Sequence, residues 1–168
     1  NSLALKVDGS IVSWGRWDPH RMVSDTPTGT DFVQVTAGSN HSLAVKIDGS
    51  IVAWGFDVSG QVSDTPSGTD FVQVAGGGSH SLVLKTDGSI VSWGSDSDGQ
   101  VSNTPVGTNF TQAAGGDDHS LALKSDGSIV SWGKNSNGQV SNTPSGNSFV
   151  QVACGDEHSL ALKSDGSI

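Results

Sequence analysis

The stretch Phe71-Val72-Gln73-Val74-Ala75-Gly76-Gly77-Gly78-Ser79-His80-Ser81-Leu82-Val83-Leu84-Lys85-Thr86-Asp87-Gly88-Ser89-Ile90-Val91-Ser92-Trp93-Gly94 holds three short apolar runs separated by turn residues. Nearly the same wording recurs along the whole 168-residue chain. His41, His80, His119 and His158 stand 39 residues apart, and so do Trp54, Trp93 and Trp132. Trp14 precedes Trp54 by 40 because the loop after the first Trp-Gly carries one extra residue. A fixed period of this length signals stacked supersecondary units rather than one continuous core.

Cutting at the Phe-Val-Gln-Val phase gives complete units at 31–69, 70–108 and 109–147, with partial units at 1–30 and 148–168. Residues 1–11 and 158–168 cover the same part of the repeat. No methionine opens the chain, and its last residue falls where a strand should begin, so the expectation is an excerpt of a longer chain.

Within each unit Asp-Gly separates two apolar runs, as at Asp48-Gly49 and Asp87-Gly88. That pairing predicts an antiparallel hairpin closed by a type I′ turn, whose two central residues both need positive φ. Phe-Val-Gln-Val supplies a third strand, and Gln-Val-Ser a possible fourth at the outer edge. Leu43-Ala44-Val45 and Ile51-Val52-Ala53-Trp54 are apolar without alternation, so both faces of each small sheet must be covered by neighbours. Identical twisted sheets stacked in this way curve around an axis. The fold class expected is therefore all-β: a β-propeller of three- to four-stranded antiparallel blades, with about four blades' worth present. A parallel β-helix is the main rival, and the tight Asp-Gly reversals argue against it. The small residues of the Ala-Gly-Gly segment belong at the crowded inner end.

Formal charge is −9, and the eight basic residues are mostly one Lys per repeat. Such a chain offers no positive stripe for a phosphate backbone, so nucleic acid is not an expected partner. No apolar run approaches the roughly 20 residues that span a bilayer. Cys154 occupies a slot held elsewhere by Ala37, Gly76 and Gly115, which reads as a small packed side chain rather than a reactive thiol. Abundant Gly, Ser, Thr and Asn give the look of a secreted or cell-surface repeat protein.

The histidines recur once per unit, so symmetry spreads them around a ring, whereas a metal needs three or four ligands within about 2–2.3 Å of one ion. Hydrogen bonding at a strand start is the expectation for the histidines, and blade packing for the tryptophans. Asp96-Ser97-Asp98-Gly99 echoes a calcium loop but lacks its distal Glu, and turn chemistry accounts for it. No catalytic residue, metal ligand or cofactor site is expected, and the chain does not read as an enzyme.

Variation between copies is more informative. The ends opposite the Asp-Gly turns should share one rim, and they carry the residues that differ most. Arg16, Trp17, His20, Arg21, Phe56, Asp57, Asp96, Asp98, Lys134 and Asn135 follow the Trp-Gly strand; Asp117, Asp118, Asp156 and Glu157 precede the histidine slot. Diversified loops on a rigid scaffold are where binding function resides, and Trp, Phe and Arg are interface-anchoring types.

Val152-Ala153-Cys154-Gly155-Asp156-Glu157-His158-Ser159-Leu160-Ala161-Leu162-Lys163-Ser164-Asp165-Gly166-Ser167-Ile168, with Trp132-Gly133 and Gly138-Gln139, resembles the repeat of the regulator of chromosome condensation family. The resemblance covers the whole chain and implies part of a seven-bladed propeller used mostly to bind other proteins. Short units and the Thr-Pro pair are more similar to the propeller-type β-lactamase inhibitor protein. No contact residue is carried over from either. The function expected is a non-enzymatic protein- or glycan-binding module, with a structural repeat in a surface or extracellular assembly as the alternative. Self-association, or a larger parent chain, would complete the ring.

Overall fold

The computed structural model describes residues 2–15 and 18–168. Among the described residues thirteen strands follow one another: β1 (Ser2–Leu5), β2 (Ile11–Trp14), β3 (Phe32–Ala37), β4 (His41–Lys46), β5 (Ile51–Gly55), β6 (Phe71–Gly76), β7 (His80–Lys85), β8 (Ile90–Gly94), β9 (Phe110–Gly115), β10 (His119–Lys124), β11 (Ile129–Gly133), β12 (Phe149–Cys154) and β13 (Ser159–Lys163). They form three complete blades, β3-β4-β5, β6-β7-β8 and β9-β10-β11, flanked by the two-stranded sheets β1-β2 and β12-β13. All pairing is antiparallel.

Blades have three strands, not four. The Gln-Val-Ser segment forms turns instead of pairing; the threonine that follows it donates its hydroxyl to the Val101 carbonyl at 2.7 Å in the case of Thr104, whose Oγ1 accepts from Ser92 Oγ of the outermost strand at 2.8 Å. The inner strands carry a bulge that sets Val33, Val72 and Val150 aside, all exposed, while Phe32, Phe71 and Phe149 turn inward.

The Asp-Gly hairpins form, but not with the turn expected. Positive φ falls on the glycine alone, as at Gly49 (80°), and the Gly49 N–H donates to the Lys46 carbonyl at 3.0 Å. This is a type I turn followed by a left-handed glycine, the three-residue hairpin connection. The aspartate side chain fastens the turn from outside, since Asp48 Oδ1 accepts from both N and Oγ of Ser50, at 2.9 and 2.6 Å. The turn also anchors the next blade. The Phe71 N–H donates to the Gly49 carbonyl at 3.1 Å, and a Cβ on Gly49 would stand 2.3 Å from the Thr69 carbonyl oxygen. This rim is uniform because each turn must receive a strand as well as reverse one.

Apolar packing lies between blades. Leu43 and Val45 of one meet Phe71, Val74, Val83 and Trp93 of the next; Leu82, Leu84 and Ile90 meet Phe110, Ala113 and Trp132 in the same way. The Phe-Val-Gln-Val strands β3, β6, β9 and β12 contact one another in succession around the axis. Crowding there is severe: a Cβ on Gly76 would lie 2.6 Å from the Gly38 nitrogen.

Candidate functional site

Blades are joined by polar contacts before any binding surface is considered. His41 Nε2 lies 2.8 Å from Ser81 Oγ on the next blade; His80 meets Ser120 at 2.8 Å and His119 meets Ser159 at 3.0 Å. The single Ser81 hydroxyl proton goes to the Gln61 carbonyl, so Ser81 Oγ must accept from the His41 Nε2–H, leaving Nδ1 as a bare lone pair. The same Gln61 carbonyl accepts from Trp93 Nε1 at 3.1 Å. Trp132 donates likewise to Gln100, and Trp54 to Met22, which stands in the glutamine slot. Burial pushes His41 and His80 down to about 4, so both imidazoles are neutral at physiological pH. His41, His80 and His119 thus each bridge one blade to the next.

A second joint escapes sequence reasoning. Gln34 Nε2 donates to the Val74 carbonyl at 3.3 Å, while its Oε1 accepts the Val74 N–H at 3.0 Å. Gln112 clasps Val152 at 3.0 and 2.9 Å, and Gln73 accepts from Ala113 N–H at 2.9 Å. A polar residue repeated in every copy of an otherwise apolar strand was the available signal.

The loops expected to share a rim do emerge together. Phe56 N–H donates to the Asn40 carbonyl, Ser95 to Ser79 and Lys134 to Asp118, each at 2.8 Å. The inner loops surround an axial funnel of roughly 250 Å³, lined by glycine backbone with Ser39, Asp117, Cys154 and Asp156. Burial pushes the Cys154 thiol up to about 12, in keeping with a packing role.

Candidate rim residues divide by what holds them. Arg16 and Trp17 lie outside the described residues. Asp57, Asp96 and Asn135 face inward to their own loops, each Oδ1 accepting two backbone N–H groups at 2.8–3.0 Å; for Asp96 these are Val101 and Ser102. Those two N–H groups hold the Asp96 carboxyl below its usual range. Asp98 accepts from Ser97 Oγ at 3.1 Å. Arg21, at φ 59°, pairs with Asp25 at 3.0 Å. His20 rests against Phe56 with ring centroids 4.3 Å apart, and Val58, two residues further along the loop, is exposed.

The remaining residues converge. Asp117, Asp156 and Glu157 line one recess with His158, and Asp117 and Asp156 also border the funnel. Asp118 receives Lys134 Nζ at 3.2 Å and Gln100 Nε2 at 3.3 Å, and is thereby neutralised. Asp117 feels the same lysine more weakly, and Lys134 and a hydrogen bond with Ser39 offset only part of what its surroundings do. Partial burial, then the nearby carboxylates of Asp118 and Asp156, raise its pKa. The rim therefore has an acidic pole whose repulsion Lys134 relieves only in part, and an aromatic contact at His20 and Phe56.

Stacked antiparallel blades around a glycine-lined axis define a partial β-propeller. The model for the regulator of chromosome condensation (RCC1) repeat matches residues 32–61, 71–100, 110–139 and 149–168, and the chain belongs to this family. No curated protein matches it. Among solved structures it is similar to the ectodomain of the Physcomitrella patens receptor kinase CR4 (TM-score 0.81, 19% identity, 99% of this chain and 47% of that one). It is also similar to the ectodomain of the Arabidopsis thaliana receptor kinase ACR4 (TM-score 0.67, 23% identity, 79% and 47%). Prp20p from Saccharomyces cerevisiae, described with its binding properties to Gsp1p and histones, aligns with TM-score 0.67 and 25% identity over 80% of this chain and 42% of that one. The chain thus spans less than half the length of these proteins. Among the described residues no helix is long and apolar enough to cross a membrane.

Proposed function

We propose that this propeller segment is a non-enzymatic protein-binding module whose diversified rim grips a partner with a basic surface. The observation that carries this reading is Asp117: it borders the funnel with Asp156, Asp118 stands nearby, and Lys134 offsets only part of their repulsion, so its pKa remains raised. A cationic side chain entering the funnel would remove repulsion already present, and oriented acidic groups would steer its approach. His20, Phe56 and Val58 add apolar contact area. Prp20p, a relative in fold, is described as binding histones, which makes core histones a suitable basic probe.

The test is binding of the chain to immobilised core histones across a salt series. Binding that weakens with salt, and drops about tenfold or more in Asp117→Lys and Asp156→Lys with folding intact, supports the reading. Equal binding by the charge-reversed chains removes the acidic pole from consideration. Placement outside the cell or on its surface is an accompanying proposal that rests on composition, and fractionation of the producing cells would test it.

A further inference from the structure

We propose that Asn137 is a self-modification site, at which the chain converts an amide of the diversified rim into a carboxylate with water as the only co-reactant. Asn137-Gly138 is the one place in the sequence where glycine follows asparagine. The backbone nitrogen of Gly138 attacks Asn137 Cγ and loses its proton, ammonia leaves, and a five-membered imide closes. Water then opens that ring at either carbonyl. Cleavage at Cγ restores the ordinary peptide bond with aspartate at 137; cleavage at the main-chain carbonyl leaves isoaspartate, with the backbone routed through Cγ. The sum is amide plus water giving carboxylate and ammonium, with nothing oxidised or reduced.

The fold selects this asparagine. Asn137 is exposed, as is Asp98 in the same slot one blade earlier. Gly138 holds φ 80°, the left-handed region that favours glycine, so the unhindered neighbour that the attack needs is also the residue the turn needs. Its N–H donates to the Asn135 carbonyl at 3.2 Å, the long end of the hydrogen-bonding range, which leaves that nitrogen weakly held. Other asparagines of these loops are placed differently. Asn135 Oδ1 accepts the Val140 and Ser141 N–H groups at 3.0 and 2.8 Å, and Asn103 and Asn142 precede β-branched threonines that crowd the approach. The aspartate product fits without rearrangement, because Asp98 already shows it: its N–H donates to Gln100 Oε1 at 2.8 Å, as the Asn137 N–H does to Gln139 Oε1 at 2.9 Å. Isoaspartate does not fit. Its extra main-chain carbon displaces Gly138 from the Asn135 carbonyl and from the Asn142 N–H, which its own carbonyl accepts at 2.9 Å. Either product adds a negative charge to the rim that carries Asp117 and Asp156; that this tightens the grip on a basic partner rests on the function proposed above.

The test holds the folded full-length chain at body temperature and mildly alkaline pH, samples it over weeks and maps it by peptide mass spectrometry. Electron-transfer fragmentation separates aspartate from isoaspartate. Asn137 should lose its amide at least tenfold faster than Asn103, Asn135 or Asn142 and give both products, while circular dichroism shows the fold retained. Three outcomes overturn the proposal: an Asn137 amide that lasts as long as that of Asn142, conversion confined to chain unfolded in guanidinium, or aspartate with no isoaspartate, which means direct hydrolysis without the imide. The Asn137→Asp chain, equivalent to the aspartate product, is assayed on core histones beside the starting chain and should bind more tightly. Equal binding by the two counts against the basic-partner reading, while the mass change at Asn137 judges the modification by itself.

Discussion

Trp93 and Trp14 occupy the same place in the repeat, yet one is buried with its indole hydrogen-bonded and the other is half exposed. The histidines show the same contrast: His41, His80 and His119 are fully buried, whereas His158 is exposed. Each blade alone determines its strands, but burial of its two largest signature residues comes from a neighbour. Stability in this molecule belongs to the joints between blades, as expected for a quasi-one-dimensional repeat.

Removing a buried joint residue and its half-exposed counterpart should separate the two most clearly. Trp93→Ala is expected to cost about 3–5 kcal/mol, by lost apolar burial and the loss of the indole's hydrogen bond to the Gln61 carbonyl, while Trp14→Ala, half exposed, costs under about 1 kcal/mol. Urea unfolding of both variants checks this. Acid should find the same joints. Since His41 and His80 titrate near 4 when folded and near 6.5 when unfolded, the unfolded chain binds more protons between those values, so stability falls as pH drops through that window. The loss is on the order of 3 kcal/mol per histidine, is absent above pH 6.5, and should flatten in His80→Gln when thermal midpoints are followed from pH 7 to 4.

Two smaller effects sharpen the comparison. Gln73→Ala strands the Ala113 N–H between blades and should cost about 1–3 kcal/mol in the same unfolding assay. Asp117→Asn, at the rim rather than in a joint, should change stability by less than about 0.5 kcal/mol while weakening histone binding, which would place function and stability on different residues.

Much of this was legible in the wording of one repeat. Asp-Gly between apolar runs, and the lack of alternation in Leu43-Ala44-Val45, were enough for antiparallel leaves buried on both faces. The turn type was not legible, because Asp-Gly also serves a three-residue hairpin whose glycine receives the next blade's phenylalanine N–H. The fourth strand failed because Thr104 and its equivalents hold the outer segment by side-chain hydroxyls instead of a ladder. At the rim, variation between copies marked the acidic pole at Asp117 and Asp156. It could not separate those residues from Asp57 and Asp96, whose carboxylates fasten their own loops, because both sets differ between repeats for unlike reasons.

The most direct measurement is imidazole ¹⁵N NMR of His41 and His80 across a pH titration. Both rings should appear as the neutral Nε2–H tautomer and stay neutral until pH approaches about 4. Ordinary titration near 6.5, or the Nδ1–H tautomer, would show that these histidines are not locked between blades and would contradict the account of how the propeller is held together.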